Sequence, residues 1–110
     1  MSEYHYSIAC AASYATRIGL PRHSTLYAAL LEVNDAGEAI DEIALHVTHN
    51  VNSVGMNFLL SVRASAVLEG HSYAIKVSIV SDNGVFTSTP QYYAVDPRAP
   101  HSEPIEIFMP

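Results

Sequence analysis

Residues 73–95, YAIKVSIVSDNGVFTSTPQYYAV, contain two β-rich runs on either side of Asp-Asn-Gly at positions 82–84. Asn-Gly is the strongest short-range signal for a β-hairpin. The type I′ turn of such a hairpin needs positive φ at both central residues, which Asn and Gly tolerate. With Asn83 and Gly84 in those two places, this stretch predicts a tight two-stranded hairpin, around which we interpret the rest of the chain.

The predicted turn assigns the hairpin side chains to two faces, because register and alternation together decide which residues point inwards. In this register Ile79 is expected opposite Ser88. The face expected in the core comprises Tyr73, Ile75, Val77, Ile79, Phe86, Pro90 and Tyr92. The face expected to be open to solvent or to a partner comprises Lys76, Ser78, Thr87, Thr89, Gln91 and Tyr93.

Composition describes one packed domain over residues 1–110. A hydrophobic fraction of 49% and a charged fraction of 15% fit a globular domain and argue against disorder. The net charge is −6 and the chain has five Lys and Arg in total. It therefore lacks the basic clusters that nucleic-acid binding needs, which argues against that class of function. No apolar run reaches the roughly 20 residues of a membrane-spanning helix.

Cys10 is the one cysteine, so the chain forms no internal disulfide. Residues 7–10 faintly resemble a lipoprotein cleavage site, but residues 1–6 supply neither the basic nor the apolar segment of a secretory signal. Cys10 is therefore expected to be a small buried strand residue. As written, the chain is expected in the cytoplasm, with the periplasm or outer membrane as the alternative if it has been trimmed.

Alternation with period two predicts most of the strands. Residues 24–34 also fit a helix, and the turn cluster that follows at 34–37 favours a strand. Pro90 cannot donate to a ladder and predicts an edge or a bulge. The seven predicted strands cover residues 4–17, 24–34, 41–49, 56–63, 73–81, 85–95 and 105–109. Short strands with turns between them and no long helix predict an all-β fold, a seven- to eight-stranded antiparallel β-sandwich.

No group of residues has the spacing of a catalytic or ligand site. His46 and His49 form an H-x-x-H pair, but residues three apart on a strand point to opposite faces and cannot hold one metal ion. The sequence has no G-x-S-x-G nucleophile motif and no Gly-rich phosphate loop. We therefore expect no catalytic residue, no cofactor and no metal, and a protein that is not an enzyme.

The segment 14–21, YATRIGLP, together with the apolar run 26–33 and the later stretch 71–89, resembles the YbaY/YscW family of bacterial lipoproteins and type III secretion pilotins. The resemblance implies a seven- to eight-stranded β-sandwich and a non-catalytic role. In the pilotin branch, that role is to bind a secretin subunit and to help it localise and assemble. Arg17 matches a fold position, where it is expected to pin the connection at 19–21.

The expected function is a non-catalytic protein-binding module, pilotin- or chaperone-like. A partner segment would add to an exposed sheet edge or lie in an apolar groove. Tyr93, Thr87 and Thr89 are the candidate partner-binding residues, and the sequence does not name the partner. The alternatives are a carrier or sensor of a small apolar ligand between the sheets, suggested by the apolar face of Leu26, Ala28 and Leu30, and a structural homodimer.

Overall fold

Two β-sheets pack face to face in the computed structural model, which describes residues 4–15, 19–51, 56–99 and 103–110. Arg17 lies outside the described residues. Among the described residues, a 3₁₀ turn at Ala64–Ala66 follows the fourth strand. The strands found in the described residues are β1 (His5–Tyr14), β2 (Thr25–Val33), β3 (Ala39–Thr48), β4 (Asn57–Arg63), β5 (Ser72–Ser81), β6 (Gly84–Ser88), β7 (Tyr93–Val95) and β8 (Ile105–Met109). The predicted all-β sandwich is confirmed.

The strand order separates a small sheet from a large one. The three-stranded sheet has the order β4-β1-β8, and the five-stranded sheet has the order β3-β2-β5-β6, with β7 also paired to β5. Most neighbours are antiparallel, and β1 and β8 are parallel. β2 is therefore a central strand, with β3 and β5 on its two sides.

Alternate residues of both sheets meet in one core. On β1, Ile8 and Cys10 point inwards and are 0% and 1% exposed. Burying an aliphatic side chain of this size contributes about 1.5–3 kcal/mol, so this layer dominates the stability. The buried hydrophobic cluster comprises Ile8, Cys10, Ala12, Leu26, Ala28, Leu30, Met56, Phe58, Leu60, Val62, Val67, Tyr73, Ile75, Val77, Ile79, Ile107 and Met109.

Cys10 is a core residue, as predicted. Its Sγ lies 3.8 Å from the backbone oxygen of Ile8, and burial raises the pKa of the thiol from 9.0 to about 11. The thiolate is the reactive form of cysteine, so this protonated thiol is chemically inert near neutral pH.

The hairpin turn lies one residue earlier than predicted. Ser81 pairs with Gly84, so the loop residues are Asp82 and Asn83. Gly84 has a φ of 103°, whereas Asn83 has no positive φ, which rules out the type I′ turn expected at 83–84. The arrangement is that of a type I turn followed by a glycine with positive φ, another common hairpin connection. Ser81 supports it, because its hydroxyl accepts the Asn83 N–H at 3.3 Å.

A bulge at Phe86 reverses the faces of β6 from Thr87 onwards, whereas Phe86 itself packs against the core as predicted. Ile79 pairs with Thr87 rather than with Ser88, and directly opposite residues share a face of the sheet. Thr87 and Thr89 are consequently buried, at 8% and 5% exposed. The prediction that these two threonines face outwards was wrong, because a slip of one residue moves the side chains that follow the bulge to the other face.

The two consecutive tyrosines are also reversed. β6 ends at Ser88 and β7 begins at Tyr93, so the chain leaves the ladder around Pro90, as the missing proline donor predicted. Tyr93 then pairs with Ile75 and packs against the core, while Tyr92 is 38% exposed. The sequence pattern predicts Tyr92 inside and Tyr93 outside. That expectation assumed one continuous strand, whereas the break lets β7 pair in a new register.

Candidate partner-binding surface

The outer face of the five-stranded sheet is apolar around its central strand. The residues of β2 that point away from the core lie beside Val47 and Leu45 of β3, because Tyr27 pairs with Val47 and Ala29 with Leu45. Tyr27 is 39% exposed and Leu45 is 53% exposed. We call this surface the β2 face, comprising Tyr27, Ala29, Leu31, Val33, Leu45 and Val47. An antiparallel sheet usually carries polar side chains on its solvent face, and a contiguous apolar patch there marks an interaction site.

An open cleft of about 530 Å³ continues the β2 face towards β5 and β7. Two register pairs make the surface continuous, since Ala29 lies opposite Lys76 and Leu31 opposite Ala74. Residues 89–92, which leave the ladder between β6 and β7, form one side of the cleft. We call it the Tyr92 cleft, lined mainly by Val33, Ala74, Lys76, Pro90, Tyr92 and Ala94.

Charges of opposite sign border this apolar surface. Lys76 is exposed, with its Nζ 6.0 Å from the centre of the Tyr92 ring, within range of a cation–π attraction. On the other side of β2, Glu42 lies opposite Leu31 and is exposed. The surface therefore suits an apolar segment whose own acidic group lies near Lys76.

The three residues predicted from sequence to bind a partner use their hydroxyls inside the molecule. Thr87 Oγ1 donates to the backbone oxygen of Pro110 at 2.6 Å, and Thr89 Oγ1 accepts the Val77 N–H at 3.3 Å. The Tyr93 hydroxyl bonds to the backbone of β8. The structure brings Thr87 and Tyr93 to the flank where the two sheets meet and leaves Thr89 beside the Tyr92 cleft. Contact between a partner and these residues stays a prediction.

Tyr27 and Leu45 were missed as candidate site residues. The available signal was the alternation of β2, where both faces are apolar, which meant that one face had to meet something besides the core. Alternation does not say which face packs inwards. The structure shows that Leu26, Ala28 and Leu30 are at most 1% exposed, so the opposite face is the outward one.

His46 lies on β3 and His49 directly follows the end of that strand. His46 is half-buried, stacks on Phe58 with ring centres 5.3 Å apart, and bonds to the Thr48 hydroxyl at 2.9 Å. His49 is exposed. Among residues 4–15, 19–51, 56–99 and 103–110, no group of three or more His, Cys, Asp or Glu side chains is placed to hold a metal ion. The same residues include no helix with the length and hydrophobicity of a bilayer span.

The fold defines the class of the protein as an all-β sandwich of two sheets, with an apolar outer face on the larger sheet. Residues 5–106 match the family model described as type III secretion system lipoprotein chaperone (YscW). The chain belongs to this family, as the sequence resemblance predicted. No curated protein matches the chain in sequence.

A solved structure supports the same relationship. The chain is similar to an alternative pilotin from the type II secretion system of Vibrio cholerae, with 25% sequence identity and a TM-score of 0.79. The similarity covers 96% of this chain and 97% of that one, so it extends to the whole sandwich.

Proposed function

We propose that this chain is a non-catalytic, chaperone-like protein that holds an apolar segment of a secretion-system protein on the β2 face and in the Tyr92 cleft. One observation carries the proposal: the central strand of the larger sheet is apolar on both sides, and only one side is needed for the core. Membership of a family of lipoprotein chaperones and similarity to a pilotin support the same class of function.

The side chains of this surface indicate which kind of segment it would bind. Tyr27 and Leu45 offer exposed apolar area, and burying each large side chain contributes about 1.5–3 kcal/mol. Lys76 offers a positive charge beside the apolar wall of the cleft, so a carboxylate on the partner would fix orientation. The favoured partner segment is therefore amphipathic, with apolar anchors and at least one acidic residue.

The face is a better docking place than the edge formed by the last strand. Backbone groups of Phe108, on β8, and of Pro110, just after it, already form hydrogen bonds with side chains of the other sheet. A partner strand added there would have to displace those bonds, whereas the β2 face is open. Of the two modes that the sequence suggests, this choice keeps the apolar groove and sets aside strand addition at this edge.

The small-ligand alternative loses the observation that motivated it. Leu26, Ala28 and Leu30 are 1%, 0% and 0% exposed and belong to the packed core cluster. The homodimer alternative is kept as an outcome of the test, because the β2 face could also meet a second copy.

Two leucines on opposite sides of the molecule make a matched experiment. Leu45 and Leu59 are 53% and 60% exposed, on the larger and smaller sheets respectively. The resemblance implies a secretin subunit as partner, so peptides covering the secretin of the host's own secretion system would be titrated against each variant. We expect Leu45→Asp to weaken binding at least tenfold and Leu59→Asp to leave it unchanged, by analogy with hot-spot truncations of about 1–2 kcal/mol or more.

The titration has clear contrary outcomes. Equal loss in both variants, or amide shifts confined to the three-stranded sheet, would contradict the proposed surface. Sedimentation of the wild type at rising concentration tests the homodimer, since Leu45→Asp would then dissociate a dimer rather than a complex with the peptide.

The family description also bears on where the protein acts. A lipoprotein chaperone works at the cell envelope, so we propose an envelope location, and the cytoplasmic location expected from the sequence stays a prediction. Fractionation of the native host with an antibody against this chain distinguishes the two.

A further inference from the structure

The free edge of β8 is the first observation. β8 pairs with β1 on one side only, as the outer strand of the three-stranded sheet. Successive strand residues direct their backbone groups to alternate sides, and Ala15 N–H donates to Met109 O at 2.9 Å on the β1 side. The backbone groups of Glu106, Phe108 and Pro110 therefore point to the free side. Such a row is a template for pairing with another strand.

Two hydroxyls from the other sheet occupy this row. The Tyr93 hydroxyl accepts the Phe108 N–H at 3.0 Å and donates to the Phe108 carbonyl oxygen at 3.3 Å. Thr87 Oγ1 donates to the Pro110 backbone oxygen at 2.6 Å. One hydroxyl that satisfies both backbone groups of a residue takes the place that a residue of a neighbouring strand would take.

We propose that Tyr93 and Thr87 seal a latent interaction surface on the β8 edge, whose partner is the β8 strand of a second copy of this chain. A twofold dimer pairs identical strands in antiparallel orientation. With Phe108 opposite its own copy, each Phe108 would exchange both backbone hydrogen bonds with the other. The seal prevents this pairing by occupying the same donor and acceptor.

The side chains of β8 favour that partner once the seal is removed. Phe108 is 59% exposed, so the two rings would form an aromatic cross-strand pair. Glu106 would lie opposite Pro110, which keeps the two carboxylates from facing each other. The buried residues Ile107 and Met109 would keep their place in the core.

The experiment removes the hydroxyls and keeps the side-chain shapes. The double variant Tyr93→Phe with Thr87→Val would be compared with wild type by sedimentation over a wide concentration range. We expect wild type to remain at 12.0 kDa and the double variant to form a dimer of twice that mass. The control pair, Tyr92→Phe with Thr25→Val, alters a tyrosine and a threonine on the outer face of the other sheet and should stay monomeric.

A third substitution tests the location of the dimer. Phe108 N–H bonds to Tyr93 and not to β1, so Phe108→Pro removes the pairing donor without removing a bond of the β1–β8 ladder. Added to the double variant, it should restore the monomer. A folded double variant that stays monomeric, or a dimer that survives Phe108→Pro, would overturn the proposal.

A measurement on the single variant covers the case in which the double variant does not fold. Tyr93→Phe alone should raise the hydrogen-exchange rate of the Phe108 amide at least tenfold and leave the amides that bond to β1 unchanged. An unchanged Phe108 amide in a folded Tyr93→Phe protein would show that Tyr93 does not seal the edge.

Discussion

Tyr93 and Phe108 lie in different sheets and exchange two hydrogen bonds through a single hydroxyl, at 3.0 and 3.3 Å. The contact joins β7, a strand of three residues, to the edge of the smaller sheet. Tyr14 and Phe86 add an edge-to-face ring contact between the sheets, with centres 5.7 Å apart. The flank of the sandwich is therefore closed by side chains where no strand continues from one sheet to the other.

Removing the Tyr93 hydroxyl should measurably destabilise the fold. Tyr93→Phe deletes both bonds to Phe108, and each bond contributes about 0.5–1.5 kcal/mol, so we expect a loss of about 1–2 kcal/mol. Urea unfolding at low protein concentration measures it. The control Tyr92→Phe, on an exposed ring, should stay within about 0.5 kcal/mol of wild type. Equal losses of unfolding free energy in the two variants would show that the two Tyr93 hydrogen bonds stabilise the fold no more than the hydroxyl of an exposed tyrosine does.

A side chain at Gly84 should weaken the hairpin through the backbone. Gly84 has a φ of 103°, and no heavy atom lies within 4 Å of an added Cβ, so the effect is conformational rather than steric. Gly84→Val should lose at least about 1–2 kcal/mol, since a β-branched residue resists positive φ. For a domain of this size, that lowers the melting temperature by roughly 4–16 °C. Gly19→Ala, where φ is not positive, is the control, and an unchanged melting temperature for Gly84→Val would refute the assigned turn.

The two faces of the five-stranded sheet should respond differently to truncation. Leu30 is fully buried and Leu45, beside β2, is 53% exposed. Leu30→Ala should lose about 2–5 kcal/mol because it leaves a cavity, and Leu45→Ala should change stability by less than about 0.5 kcal/mol. Denaturant unfolding compares the two variants. A large loss for Leu45→Ala alone would mean that the β2 face is part of the core.

Cys10 should make the stability of the protein depend on pH in the alkaline range. Burial raises its pKa from 9.0 to about 11, so in that window the unfolded chain has lost the thiol proton while the folded chain retains it. Stability is therefore fully present below pH 9 and falls as the pH rises towards 11. Cys10→Ala lacks this contribution and keeps every other side chain, so it is the matched control. Identical pH profiles for wild type and Cys10→Ala would contradict the assignment.

The strand content could be predicted from the sequence because the side-chain period of a half-buried strand is visible in it. Ile8, Cys10 and Ala12 stand at alternate positions of the predicted strand 4–17, and all three are buried. The count rose from seven strands to eight because the run 85–95 breaks around Pro90 into β6 and β7. The proline predicted a bulge or edge, but not that the chain would pair again beyond it.

The candidate site could be predicted only in part. Sequence alone shows that both faces of β2 are apolar. A strand needs two apolar faces only if both faces are covered, one by the core and the other by something else. The choice between the face of Leu30 and the face of Tyr27 depends on where the smaller sheet packs. That contact joins distant parts of the chain, so no local pattern contains it.

The sequence by itself determined the all-β class, the approximate strands, the buried Cys10 and membership of the chaperone family, because alternation, turn residues and motif order are local properties. Only the tertiary structure decided the register of β6, the exchange of Tyr92 and Tyr93 between faces, and the outward side of β2. The bulge at Phe86, one extra residue in β6, turned Thr87 inwards. The physical reason is that register depends on both turn geometry and long-range packing. One extra residue in a strand reverses the faces of all the residues that follow it.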